Sequence, residues 1–159
     1  MNNVQPVDAA LLDKLLAEAQ AALRLRKNLN FHERAGHPCQ RLLNAVLPGS
    51  YVRPHRHMGD DKEEFLVILR GHLGLVFFDE NGAITGKIKL AQGGAVSAVN
   101  IPTGVFHTAV ALTPAVVFEA KGGPYAPHMP EELASFAPEE GSPQARQYLA
   151  RMEAVFGDV

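Results

Sequence analysis

Gly49-Ser-Tyr-Val-Arg-Pro-His55-Arg-His57 leads into Glu63-Glu-Phe-Leu-Val-Ile-Leu-Arg-Gly71, and Pro102-Thr-Gly-Val-Phe-His107 follows later in the chain. In a strand, alternate side chains face the same way, so His55 and His57 present two imidazoles to one interior. Glu64 opens the next strand-like run, and His107 arrives after a tight Pro/Gly turn. Neutral imidazole nitrogens plus one carboxylate oxygen suit borderline divalent ions such as zinc, iron, manganese, nickel or copper. The chemistry these residues point to is metal chemistry.

The pattern G-x5-H-x-H, E-x6-G, then P-x-G-x2-H resembles that of the cupin superfamily, with His55, His57, Glu64 and His107 at its four ligand positions. A closer likeness extends through Asn28-Leu-Asn-Phe-His32, His37-Pro38, Gln40-Arg-Leu-Leu-Asn44 and Phe118-Glu-Ala-Lys121-Gly-Gly-Pro-Tyr125. Over roughly residues 8–127 the chain is similar to the WbuC-type cupin-fold metalloproteins. The resemblance implies a mainly β fold, the cupin double-stranded β-helix or jelly-roll barrel, and one divalent transition metal ion. An H-x-H pair alone reads as two imidazoles on a solvated strand face. Four ligands at matching positions, each beside the expected Gly or Pro, reverse that reading.

Two departures stand out. Six residues separate His57 from Glu64, where cupins commonly have three or four. Glu63 would shorten that gap, yet only Glu64 keeps the six-residue distance to Gly71. Strand alternation does not arbitrate, because Phe65-Leu-Val-Ile-Leu69 is apolar on both faces. The second departure is Ala111, where many cupins place a non-ligating Asn.

Around these motifs the chain divides simply. Residues 8–27 carry Leu11, Leu12, Leu15, Leu16, Ala19, Ala22 and Leu23 at helical intervals. Asp8 is a candidate N-cap, and Arg24, Arg26 and Lys27 suit the final turn. From about 38 to 120, short apolar runs alternate with Gly, Pro, Asn and Asp, which predicts an antiparallel barrel or sandwich. Asn81-Gly82 between two such runs predicts a hairpin. Ser142 and Pro143 open a second helix over 143–156, with Tyr148, Leu149, Met152, Val155 and Phe156 as its apolar face. The organisation is a single cupin domain over 1–159, a barrel with an N-terminal and a C-terminal α-helix.

A formal net charge of −2 with no basic cluster gives no electrostatic footprint for nucleic acid or an anionic membrane. No apolar run approaches the roughly 20 residues that span a bilayer. The first residues lack the basic start and apolar stretch of a secretory signal. One cysteine, Cys39, excludes an intrachain disulfide and agrees with a reducing compartment, so the cytoplasm is the expected location. Cys39 itself is a reactive thiol near the metal or, the favoured reading, a small buried hydrophobe at a strand edge.

Candidates near the metal follow from alternation. Tyr51 and Arg53 share a face with the two histidines, so Arg53 is placed either to hold an anionic group of a ligand or in a structural salt bridge. Glu119 and Lys121, two apart on a late strand, face the cavity together or pair at the rim. Tyr125 donates a phenolic proton or seals the pocket. Arg53, Lys121 and Tyr125 are thus the catalytic candidates; His32 and His37 line the pocket mouth or are hydrogen-bonded structural histidines, and His72 and His128 stay outside the metal set. The first function reading is a small metal-dependent enzyme, an isomerase or epimerase, acting on an oxygenated small molecule. Surface-polysaccharide (O-antigen) sugar metabolism is the context the WbuC-type resemblance implies. The alternatives are an iron-dependent dioxygenase and a non-catalytic, metal-dependent small-ligand-binding module. A homodimer is expected from the resemblance and from the apolar faces of two helices.

Overall fold

The computed structural model describes residues 4–157; of the expected 1–159 domain, residues 1–3 and 158–159 lie outside that range. Helix α1 spans Ala9–Ala21, and its N-cap Asp8 accepts a hydrogen bond from Leu11 N at 2.9 Å. Leu12, Leu15 and Ala19 form its buried stripe. The helix stops short of residue 27 because Leu25 adopts φ +52° and Arg26 begins a strand. That strand, β1 (Arg26–Asn30), gains a ladder with β2 (Cys39–Val46) running from Arg26 opposite Val46 to Asn30 opposite Leu42. Arg26 and Lys27 therefore stand in a sheet and not at a helix end.

Six further strands follow: β3 (Glu64–Arg70), β4 (His72–Phe78), β5 (Ile84–Ala91), β6 (Ala98–Ile101), β7 (Phe106–Ala111) and β8 (Ala115–Gly122). They form two antiparallel sheets, β1-β2-β8-β3-β6 and β5-β4-β7. The fold is a mainly β jelly roll with a helix near each end of the sequence. A 3-10 turn at Pro130–Glu132 precedes α2 (Pro143–Ala154).

Period-two alternation sorts each strand between the two faces of its sheet. Leu66, Ile68, Leu73, Leu75, Leu90, Ile101 and Val117 fill the space between the sheets. On the outer face of the large sheet, Leu43, Ala45 and Val116 pack against Leu12, Leu15 and Ala19 of α1. On the small sheet, Val76, Phe78 and Val110 pack against Ala145, Leu149 and Met152 of α2. Each fully buried leucine contributes about 1.5–3 kcal/mol. Both helices thus bury their apolar stripes against their own barrel, which removes the uncovered faces from the case for a dimer.

Several local expectations change. The Gly49–His57 stretch forms no continuous strand; His55 alone makes isolated bridges, to His107 and to Leu133. Pro54 has no N–H to give a ladder, and Tyr51 instead turns into the α2 core while its hydroxyl donates to Pro138 O. In the β4–β5 loop only Gly82 takes positive φ, and Asp79 Oδ1 accepts from Asn81 N and Ala83 N. Cys39 is exposed, because it opens β2 at the sheet's end instead of entering the core. Ser142 is the N-cap of α2, but its side chain makes no capping bond.

Candidate metal centre

Two strands and one extended segment bring the four candidate ligands together. Glu64 opens β3 facing inward and is 5% exposed, whereas Glu63 lies outside and accepts from Asn100 Nδ2. His107 is the second residue of β7 and is also buried. His55 and His107 exchange backbone hydrogen bonds of 2.9 and 2.8 Å, which ties the extended segment to β7. The Pro102–Gly104 turn is fastened to the same segment, since Gly104 N donates to His57 O at 2.9 Å.

The imidazoles are oriented for metal binding. His55 Nδ1–H donates to Arg53 O at 3.0 Å, and His107 Nδ1–H donates to Val105 O at 2.9 Å. A carbonyl only accepts, so each ring carries its proton on Nδ1 and leaves the Nε2 lone pair free. His107 Nε2 lies 3.1 Å from Glu64 Oε2, and His57 Nε2 lies 2.8 Å from Glu64 Oε1. The latter nitrogen is buried without an aligned hydrogen-bond partner, despite that short distance. One donor atom from each of His55, His57, Glu64 and His107 lies within 4.8 Å of every other. Bonds of 2.0–2.2 Å place opposed donors about 4.2 Å apart, so a small contraction closes the set on a transition-metal ion. The donor chemistry and the unpartnered His57 nitrogen both fit such an ion.

The electrostatics favour the charge states a metal needs. Burial, reinforced by His107, pushes His55 well below its ordinary value and keeps it neutral. Burial alone would raise the Glu64 carboxyl, but the facing His107 and His57 imidazoles and the Lys121 ammonium hold it well below the usual carboxylate range. Lys121 stands directly opposite Glu64 across the β3–β8 ladder, with Nζ 3.1 Å from Glu64 Oε1 and 2.8 Å from Glu119 Oε1. Burial would lower the lysine, yet the two carboxylates raise it above its ordinary value. Glu119 is raised by burial first and by the Glu64 charge second. Its other oxygen accepts from Asn44 Nδ2.

A cavity of about 190 Å³ opens beside this set inside the barrel. His55, Glu64 and His107 line it with Arg26, Asn28, Asn44, Glu119 and Lys121, and leucine, valine and alanine side chains cover the remainder. Lys121 therefore reaches the centre. Arg53 is not among the lining residues; its Nη2 donates to Ala134 O at 3.0 Å and its Nη1 lies 4.0 Å from Glu139. Tyr125 is 59% exposed and lines a neighbouring cavity that also borders Glu119 and Lys121.

One nearby residue went unread in the sequence. The His128 ring centroid lies 4.8 Å from that of His55 and 5.1 Å from that of His57, against 5.1 Å between His55 and His57 themselves. It arrives on the irregular Pro-rich segment after β8, which pairs back on the histidine segment through Arg56 N to Glu132 O and Ala134 N to Pro54 O. No periodicity marks such a segment, so only its histidine content signalled anything.

The family model described as a domain of unknown function (DUF6016) matches residues 7–90, more than half of the chain. The chain belongs to the DUF6016 family. The matched stretch carries His55, His57 and Glu64 of this DUF6016 chain, while His107 lies beyond it. No curated protein sequence matches. Among solved structures, the conserved SPY1581 protein of unknown function from Streptococcus pyogenes is similar at 13% identity and TM-score 0.52, covering 79% of this chain and 96% of that one. A variant of oxalate decarboxylase from Bacillus subtilis is similar at 16% identity and TM-score 0.50. The match covers 69% of this chain but 28% of the decarboxylase, so the DUF6016 chain spans about a quarter of that protein. A cupin superfamily protein from Desulfitobacterium hafniense is similar at 15% identity and TM-score 0.48, over 61% of this chain and 76% of that one. At these identities the likeness is one of fold alone, a mainly β jelly roll. No helix among the described residues is long and apolar enough to cross a membrane.

Proposed function

We propose that the chain is a metal-dependent cupin, a small enzyme acting on an oxygenated small molecule. The observation that carries this is the convergence of His55, His57, Glu64 and His107 beside a barrel cavity whose facing wall holds Asn44, Glu119 and Lys121. When bound, a divalent transition ion, whether zinc, iron, manganese or nickel, supplies a Lewis acid that polarises a carbonyl or hydroxyl oxygen. Lys121 fixes Glu64 from across the ladder and presents its remaining N–H to a substrate oxygen. Asn44 steadies Glu119 on the same wall. Some 190 Å³ corresponds to about six water volumes, so only a small molecule, or one end of a larger one, enters. Tyr125 would meet the part of a ligand that reaches past Lys121, and Arg53 holds the Ala134–Glu139 segment in place.

The WbuC-type likeness of the Asn28, Gln40 and Phe118 segments supports surface-polysaccharide (O-antigen) sugar metabolism as the context and isomerisation or epimerisation as the reaction. A homodimer belongs to the same reading; light scattering near twice 17.2 kDa tests it. The activity test incubates metal-loaded protein with small hydroxylated carbonyl compounds and follows them by NMR. Turnover that is lost in a folded His57→Ala protein is the expected result; undiminished turnover in that variant contradicts the proposal. Oxygen consumption would replace it with an iron-dependent dioxygenase. A compound that stabilises the loaded protein but returns unchanged would replace it with a binding module.

A further inference from the structure

Outside the barrel cavity a further cavity, of about 170 Å³, lies under the segment that follows β8. His57, His128 and Glu132 all line it, and one donor atom of each lies within 4.8 Å of the other two. Two imidazoles and a carboxylate are a donor set for the same divalent ions as the inner four. Glu132 is built into place: Oε1 accepts from Met58 N and Oε2 from Met129 N, both at 2.8 Å, and the side chain is nearly buried. His128 is the accessible member, with 36% of its side chain exposed and Nδ1 3.8 Å from Glu132 Oε2. His57 stands between the two sets. It lines the outer cavity, yet its Nε2 is buried against Glu64.

We infer that His57, His128 and Glu132 form an outer capture site for a divalent transition-metal ion, from which the ion passes inward to His55, His57, Glu64 and His107. The passage follows from the shared residue. A neutral imidazole offers one lone pair to a metal, so His57 serves one set at a time and the two sets do not fill together. An ion held outside exchanges His128 and Glu132 for Glu64, His55 and His107. The exchange is downhill in donor count, from three to four, and brings the ion beside the buried Glu64 carboxylate. No electron is transferred, and the outer residues return to their free state. This inference rests on the inner four binding a metal.

The test follows Co2+ binding to the metal-stripped full chain by stopped-flow absorption, in wild type, His128→Gln and Glu132→Gln. A local site that concentrates an ion at its destination raises association rates by roughly 10- to 1,000-fold, so both variants should bind at least about tenfold more slowly. The equilibrium affinity and the cobalt spectrum should stay as in wild type, because the final ligands are untouched and dissociation slows in proportion. Wild-type rates in both variants overturn the inference, as does slowing in Glu132→Gln alone, which would report only a loosened segment. Weaker affinity with an altered spectrum in His128→Gln also overturns it, by making His128 a ligand of the inner ion. Failure of wild type to bind Co2+ at all would instead remove the inner site proposed above.

Discussion

Replacing Lys121 by methionine keeps the aliphatic stem and removes the one cation between two buried carboxylates. Lys121 Nζ lies 3.1 Å from Glu64 and 2.8 Å from Glu119, whose side chains are 7% and 10% exposed. At an effective dielectric of 20 these contacts amount to about 5 and about 6 kcal/mol of Coulomb attraction, most of it offset by the cost of burying three charges. Breaking such a buried pair costs about 3–5 kcal/mol, because it leaves uncompensated charge behind. In a chain of this length that corresponds to a Tm lower by about 6–20 °C. The assay is thermal unfolding of chelator-treated protein by circular dichroism, repeated with excess Zn2+. Bound zinc places positive charge back beside Glu64, so Zn2+ should raise the Tm of Lys121→Met more than that of wild type. A metal-free variant melting within about 2 °C of wild type would refute the reasoning, since that gap is worth no more than roughly 1 kcal/mol.

Gly71→Ala should be costly for a local reason: Gly71 has φ +72°, and a Cβ there would sit 2.1 Å from Pro114 O. Left-handed backbone costs an alanine about 1–2 kcal/mol and the overlap adds about 1–3 kcal/mol, so the urea midpoint should fall clearly with an unchanged slope. Glu140 accepts from both Arg24 and Arg26; burial would raise its carboxyl, but these hydrogen bonds hold it below the ordinary 4.5. A depressed carboxyl stabilises the fold above its unfolded value and loses that effect as pH falls through the folded one. Glu140→Gln should therefore cost about 1 kcal/mol at pH 7, kept small because the carboxylate is one-third exposed. Denaturation at a series of pH values should show the gap closing below pH 4.5.

The strands that bury one face were legible because their apolar runs are bounded by Gly, Pro and Asp: β3, β4 and β5 begin or end within a residue or two of the runs at Phe65, Leu73 and Ile84. Strand β1 was not, since Arg-Lys-Asn-Leu-Asn has no apolar alternation and owes its form to the ladder with β2. The end of α1 was hidden for the opposite reason. Ala22 and Leu23 continue the helical period, yet Leu23 is fully exposed and Leu25 breaks the path at positive φ.

At the centre, residue type and spacing carried the reading of His55, His57, Glu64 and His107. The spacing to Gly71 favoured Glu64 over Glu63, and the register sets Glu64 opposite Ile101 and Lys121 with its side chain inward. Alternation left Arg53 open between a ligand and a structural salt bridge; with Pro54 interrupting the strand, its guanidinium turns to Ala134 O and Glu139. His128 and Glu132 approach the site through long-range pairing of residues 130–134 with residues 54–56, a relation no local pattern encodes.

The most direct test of the account is metal content by inductively coupled plasma mass spectrometry, on protein purified without added metal, for wild type, Glu63→Gln and Glu64→Gln. The account predicts close to one divalent transition ion per chain in wild type and in Glu63→Gln, and its loss in Glu64→Gln. Metal-free wild type, or a full complement retained in Glu64→Gln, would contradict it.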